Sequence, residues 1–168
     1  MSHHLASNRM VALMLAAAGI AAATPLAAQR PDAELVGIST VGVLVEPLGP
    51  AAITCGFNRE QIEQSLARTA NAGGLKAVAH RDEETYLDLR VETLNVQPGV
   101  CVSRFDTTLY TTTAARLSHQ AQPVPVRVSL LHEAGLSGGG SSTHAATVLR
   151  TIQQQVEKIA ARVVAANR

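Results

Sequence analysis

Tryptophan is absent from this 168-residue chain, and phenylalanine and tyrosine together make up 2% of it. So few aromatic side chains argue against a carbohydrate-stacking platform and against a surface that stacks single-stranded bases. Lysine is nearly absent too: of 14 basic residues only Lys76 and Lys158 are lysines, a bias of composition rather than a functional mark. No Gly-Lys-Ser/Thr phosphate loop and no dinucleotide-binding glycine spacing occurs, and neither Ser129 nor Ser137 sits in a nucleophile elbow. Internal repeats, blocks of like charge and proline-rich linkers are missing as well.

Hydrophobic runs long enough to span a bilayer are also lacking. The longest, Met10 to Ala23, follows a short polar lead containing Arg9 and precedes Pro25-Leu26-Ala27-Ala28. That layout predicts a secretory signal peptide over residues 1–28, cleaved after Ala28 to leave Gln29 as the new amino terminus. No cysteine lies at the cleavage point, so a lipid anchor is not expected, and membrane insertion after cleavage is not expected either. Loss of Arg9 leaves 13 basic residues against 13 acidic ones. A neutral chain lacks the basic face that nucleic acid or an anionic membrane surface requires. Residues 29–168 suffice for one domain with a real core.

Cys55 and Cys101 are the only cysteines. In an oxidising compartment an isolated pair forms one structural disulfide, which would stabilise the fold by roughly 3–4 kcal/mol. The alternative is a reactive Cys55 thiol with a redox role, activated by a helix start nearby.

The strongest structural signal spans Thr85 to Leu117. Leu87, Leu89 and Val91 alternate with Asp88, Arg90 and Glu92, which gives a strand one apolar and one charged face. Beyond Gln97-Pro98-Gly99, a type II turn pattern, the β-prone run Val100 to Tyr110 completes a hairpin. The charged face reads as the solvated side of a sheet or as a docking surface.

Leu35 to Val45 predicts a first strand with a bulge near Gly42, ended by Pro47-Leu48-Gly49-Pro50. Asn58 followed by Gln61 is a capping box, and Ile62, Leu66 and Ala70 share one face of the helix it opens, which Gly73-Gly74 ends. Leu75 to Ala79 predicts a short strand. For Cys55 to reach Cys101, the chain from Ala77 to Val96 must travel mainly in one direction, as a bent or interrupted strand. Val124, Val126, Val128 and Leu130 alternate with Pro125, Arg127 and Ser129 in a further strand, and Pro125 fits an edge strand or a strand start. Leu136 to Ser142 predicts a flexible loop, and a terminal helix capped by Ser142 or Thr143 carries an apolar stripe from Ala145 to Val163.

The expected fold is α+β: a two-layer sandwich in the order strand, helix, three or four mostly antiparallel strands, helix, with both helices on one sheet face. This order of elements is similar to that of small α/β domains in bacterial envelope proteins, such as the amino-terminal domain of the Tol-system propeller protein and lipoproteins that assist lipopolysaccharide or peptidoglycan assembly. The resemblance implies fold alone and carries no residue across.

The expected function is that of a periplasmic or secreted, non-enzymatic accessory or interaction domain of the cell envelope, binding an envelope protein partner without a cofactor. The alternative is a small metal-dependent or hydrolytic enzyme using His132, Glu133 and His144, which flank the glycine-rich Gly135 to Thr143. His80 and His119 stand alone.

Overall fold

The computed structural model describes residues 31–80 and 82–168. The signal peptide expected at 1–28 lies outside the described residues. After a 3₁₀ turn at Ala33–Leu35 come β1 (Thr40–Val45), α1 (Pro50–Thr54), α2 (Arg59–Ala72), β2 (Lys76–Ala79), β3 (Thr85–Gln97), β4 (Val100–Ala115), β5 (Val124–Gly140) and α3 (Ser141–Ala166). The class is α+β. The five strands form one sheet in the order β2-β1-β3-β4-β5. It is mixed: β1 pairs in parallel with both β2 and β3 over short ladders, while β3, β4 and β5 pair antiparallel over long ones.

Strand alternation sorts the residues. Val41, Val43, Val45, Leu87, Leu89, Val91, Phe105 and Leu109 join one buried cluster with Ile62 and Leu66 of α2 and Val148, Ile152, Val156 and Ile159 of α3. Helix α2 packs on β1 and β2, α3 packs on β4, β5 and α2, and α1 packs on β3. The capping residue of α2 is Asn58, whose side chain accepts a 3.0 Å bond from the Gln61 amide. The segment read as a breaker starts a helix: Gly49 is the N-cap of α1 and Pro50 its first residue, where a missing amide hydrogen costs nothing.

β2 and β3 do run in one direction, both parallel to β1, but on opposite flanks of it. Gly42 shows how the chain changes flank. A Cβ there would meet His80 Nδ1 at 2.8 Å and Glu83 Oε2 at 3.2 Å. Val41 and Val43 face the core, so the connection from β2 to β3 passes over β1 on the other face, against the one residue without a side chain. The pairing of β1 continues through Gly42 without a register shift, so no bulge exists there.

The predicted loop at 136–142 is instead, up to Gly140, the end of β5, paired with β4. The register shift opposite Leu109 and Tyr110 places Leu130 as an extra residue, which reverses the phase of the strand. The glycines beyond it are there for space rather than for flexibility. A Cβ on Gly135 would lie 2.3 Å from the Phe105 ring. Helix α3 accordingly starts at Ser141 with Gly140 as N-cap, upstream of both predicted caps.

The structure brings Cys55 and Cys101 to disulfide geometry, with their Cα atoms 6.2 Å apart across a sequence separation of 46. Cys55 is the C-cap of α1, a short way before the N-cap of α2 at Asn58, and both cysteines are buried and bonded to each other. The bond ties α1 to β4. Reduction, or Cys55→Ser with Cys101→Ser, is expected to lower unfolding stability in urea by about 4 kcal/mol from loop closure alone. Gly135→Ala, which forces Phe105 out of its site, should cost about 1–3 kcal/mol in the same assay.

Candidate functional site

Residues that alternate away from the core on β3, β4 and β5 share the opposite sheet face. Pairing sets Tyr86 beside Tyr110, Asp88 beside Thr108, Arg90 beside Asp106 and Glu92 beside Arg104, with Ser129 and His132 of β5 next in line. Most of these residues, together with Glu46, which follows β1, line a cleft of about 390 Å³. The reversal of phase at Leu130 brings both Ser129 and His132 onto this face.

At one end, rings and a guanidinium form a row. His80 lies 4.4 Å from the Tyr86 ring and Tyr86 5.8 Å from Tyr110. Arg127 stacks 4.5 Å above Tyr110 and donates from Nη1 to Tyr86 Oη at 3.4 Å. At the rim, charges pair with one another: Arg90 with Glu92 at 2.6 Å and Glu46 at 3.5 Å, Arg104 with Asp106 at 3.1 Å, and His132 with Asp106 at 3.2 Å.

Asp88 on the cleft floor differs. It is 8% exposed, none of the ion pairs among the described residues includes it, and its Oδ1 meets no hydrogen-bond donor. Burial, and then the Glu46 carboxylate, push its carboxyl above the usual range, against the opposing pull of Arg127, His80 and Arg90. The fold therefore holds a poorly solvated carboxyl group in an open-sided cleft.

The three residues of the predicted enzymatic site do not come together. His132 and Glu133 are neighbours on a strand and so point to opposite faces. His132 meets Asp106 on the cleft side, and Glu133 meets Lys158 of α3 at 3.5 Å on the helix side. His144 is 1% exposed inside the core. Its Nε2 lies 2.7 Å from Ser103 Oγ, itself 2.7 Å from Thr93 Oγ1, and its ring meets Phe57 edge-on. Among the described residues no three His, Cys, Asp or Glu side chains converge as metal ligands would. In the sequence Asp88 stands out only as part of a charged strand face, and Glu46, Asp106 and Arg127 do not stand out at all. The alternation along β3 is the available signal; register collects the rest.

Two pH effects follow. Burial lowers the affinity of His144 for a proton below the ordinary histidine value of 6.5. The unfolded chain thus binds that proton first, so this contribution to stability is complete above pH 6.5 and is lost as pH falls toward the depressed folded value. His144→Gln should flatten the drop in melting temperature between about pH 7 and about pH 5. Asp88 behaves oppositely, because its raised pKa favours the folded state below the ordinary carboxylate value and disfavours it as pH rises through the folded value. Asp88→Asn should therefore raise the melting temperature at neutral pH, with the gain shrinking in acid.

No protein-family model matches the chain, and no curated protein sequence matches it. Among solved structures it is similar to a dodecamer of a PelC variant from Paraburkholderia phytofirmans, at 18% identity and a TM-score of 0.40, over 76% of this chain and 86% of that one.

Proposed function

We propose that this chain is a non-enzymatic accessory or interaction domain of the bacterial cell envelope, acting by binding through the open polar face of its sheet. In this reading a leader over residues 1–28 directs it to the periplasm or outside the cell. The long helices then cover one face of a two-layer sandwich, leaving the other for a ligand or partner. One observation carries the reading: Asp88, whose buried Oδ1 has no hydrogen-bond partner, lines a cleft on the sheet face away from the helices. A solvated sheet face with no binding role has no reason to keep an unsatisfied carboxylate, since a neutral side chain there would cost less. The Cys55–Cys101 bond supports an oxidising destination. No described helix is long and apolar enough to cross a membrane. The enzymatic alternative has no geometric support, because His132, Glu133 and His144 lie on the open face, on the helix side and in the core.

Two measurements test this. Protein recovered from the periplasmic or culture fraction should have an intact mass that begins at Gln29 and lacks two thiol hydrogens. A photoreactive residue at Ser129, on the open face, should yield discrete adducts in intact cells, resolved by mass spectrometry whether the adduct is a protein or a small molecule. The same residue at Arg150, exposed on α3, should yield none. Equal labelling at both positions, or none at Ser129, overturns the assignment of the binding face.

A further inference from the structure

We infer that the carboxyl-terminal stretch of the β5 edge is a docking surface for a second copy of this chain, the two β5 strands pairing antiparallel about a two-fold axis at Leu136. This edge lies beside the cleft and does not depend on what the cleft binds. β5 forms one edge of the sheet and β2 the other. The β2 edge is four residues long and opens with Lys76, features that deter further pairing. The first part of β5 is blunted too, by Pro125, Arg127 and the bulge at Leu130. From Leu131 to Gly140 no such device remains: there is no proline, lysine or arginine, and the one carboxylate, Glu133, is paired with Lys158 on the helix side.

One hydrogen bond fixes the direction of the backbone groups along this stretch. The Ser141 amide donates to the Gly99 carbonyl at 2.9 Å, one step beyond the pair of Val100 and Gly140. That makes it a pair whose own amides and carbonyls point away from each other. Alternate pairs along an antiparallel ladder share this character, so His132, Ala134, Leu136, Gly138 and Gly140 turn their backbone groups to the open edge. The Gly140 carbonyl is taken up at the start of α3, where it accepts from the Thr143 hydroxyl. The other four residues offer the edge both a donor and an acceptor.

The shape of this run selects its occupant. The bulge at Leu130 closes it on one side and α3 on the other, and its midpoint is Leu136. Leu136 is also its most exposed apolar side chain, 75% accessible, and lies diagonal to Val102, whose partner on β3, Leu94, is 68% exposed. A strand of unrelated sequence has no reason to centre there, whereas a second copy turned about a two-fold does. Leu136 then meets its own mate and each Ala134 meets a Gly138, every such pair exchanging two hydrogen bonds. His132 accepts from the Gly140 amide of the other copy. On the helix side Glu133 falls opposite Gly139, and Gly135 opposite Ser137. No like charges oppose one another, and the glycines leave room for every larger side chain. The two leucines cover each other beside Leu94 and Val102, which removes an exposed apolar patch from water.

The test uses the purified, disulfide-bonded protein. Sedimentation velocity over a concentration series should show monomer and dimer in reversible equilibrium. Leu136→Lys, which sets two ammonium groups against each other at the axis, should weaken association by about a hundredfold or more. Ala134→Pro, which removes an edge amide that β4 does not use, should weaken it by about tenfold. Val36→Lys, at another exposed apolar side chain beside the 3₁₀ turn, should change it less than about twofold. Because Leu136 is exposed in the monomer, Leu136→Lys keeps its fold, read from an unchanged circular dichroism spectrum, and its loss of dimer reports the edge. Once about nine-tenths of the chain is dimeric, the amides of residues 132, 134, 136, 138 and 140 should exchange with deuterium about tenfold more slowly than in dilute solution. A chain that stays monomeric, a dimer that tolerates Leu136→Lys, or a dimer whose edge amides exchange as fast as those of the monomer overturns the inference. If these amides are fast in the pure protein yet slow in a complex isolated from the cell envelope, the edge belongs to another polypeptide and the second copy is wrong.

Discussion

The alternation of the strand pleat is the constraint from which the rest of this molecule follows. Along β3 and β4 the residues at 87, 89, 91, 105 and 109 go into the core, and their neighbours at 86, 88, 90, 106 and 110 go to the opposite face. Two helices supply apolar side chains to one of these faces. On the other, charged and aromatic groups from three strands are brought within reach of one another without any motif to announce them. A slip of one residue between β3 and β4 would exchange core for cleft, so packing of the core fixes the register on which the cleft depends.

Glycine enforces this arrangement at two points. Gly42 lets the connection from β2 to β3 lie directly on β1, which is how two strands parallel to β1 can flank it with so short a link. Gly135 gives up its side-chain volume to Phe105, which fills the core beneath β5 in a chain with only two phenylalanines. In both places a backbone without a side chain is the complement of a neighbour that is pressed against it.

Much of the fold could be read in the sequence because local chemistry decided it. The Gln97-Pro98-Gly99 turn, the Asn58 and Gln61 cap, and the apolar stripe of α3 each rest on residues close to one another along the chain. The paired cysteines went further and set the direction of residues 77–96 before any strand pairing was known. What failed was the glycine-rich run at 135–140, because composition says only that the backbone is free; whether that freedom means a loop or a crowded strand depends on Phe105, far away in sequence. The same limit undid the grouping of His132, Glu133 and His144. Proximity in sequence suggested a site, yet adjacent strand residues face apart and the following helix turns inward.

Asp88 was legible as a charged residue on a charged face, and this is where the sequence had least to offer. Its difference from Arg90 and Glu92 lies in its neighbours: those two meet each other as opposite charges, whereas Asp88 sits further in along the same face, beside the buried Thr108, and forms no direct ion pair with Arg90 or Arg127, which act on it only from a distance. Cations are not scarce in the cleft. Three arginines line it, each turned to other partners, with Arg127 held by two tyrosines in a chain that has only two. A domain that needed only to be stable would have let one of these guanidinium groups close on Asp88, since a buried carboxylate gains more from a paired cation than an exposed rim charge does. The structure instead concentrates its direct pairing on the rim and leaves Asp88 Oδ1 buried without a hydrogen-bond partner.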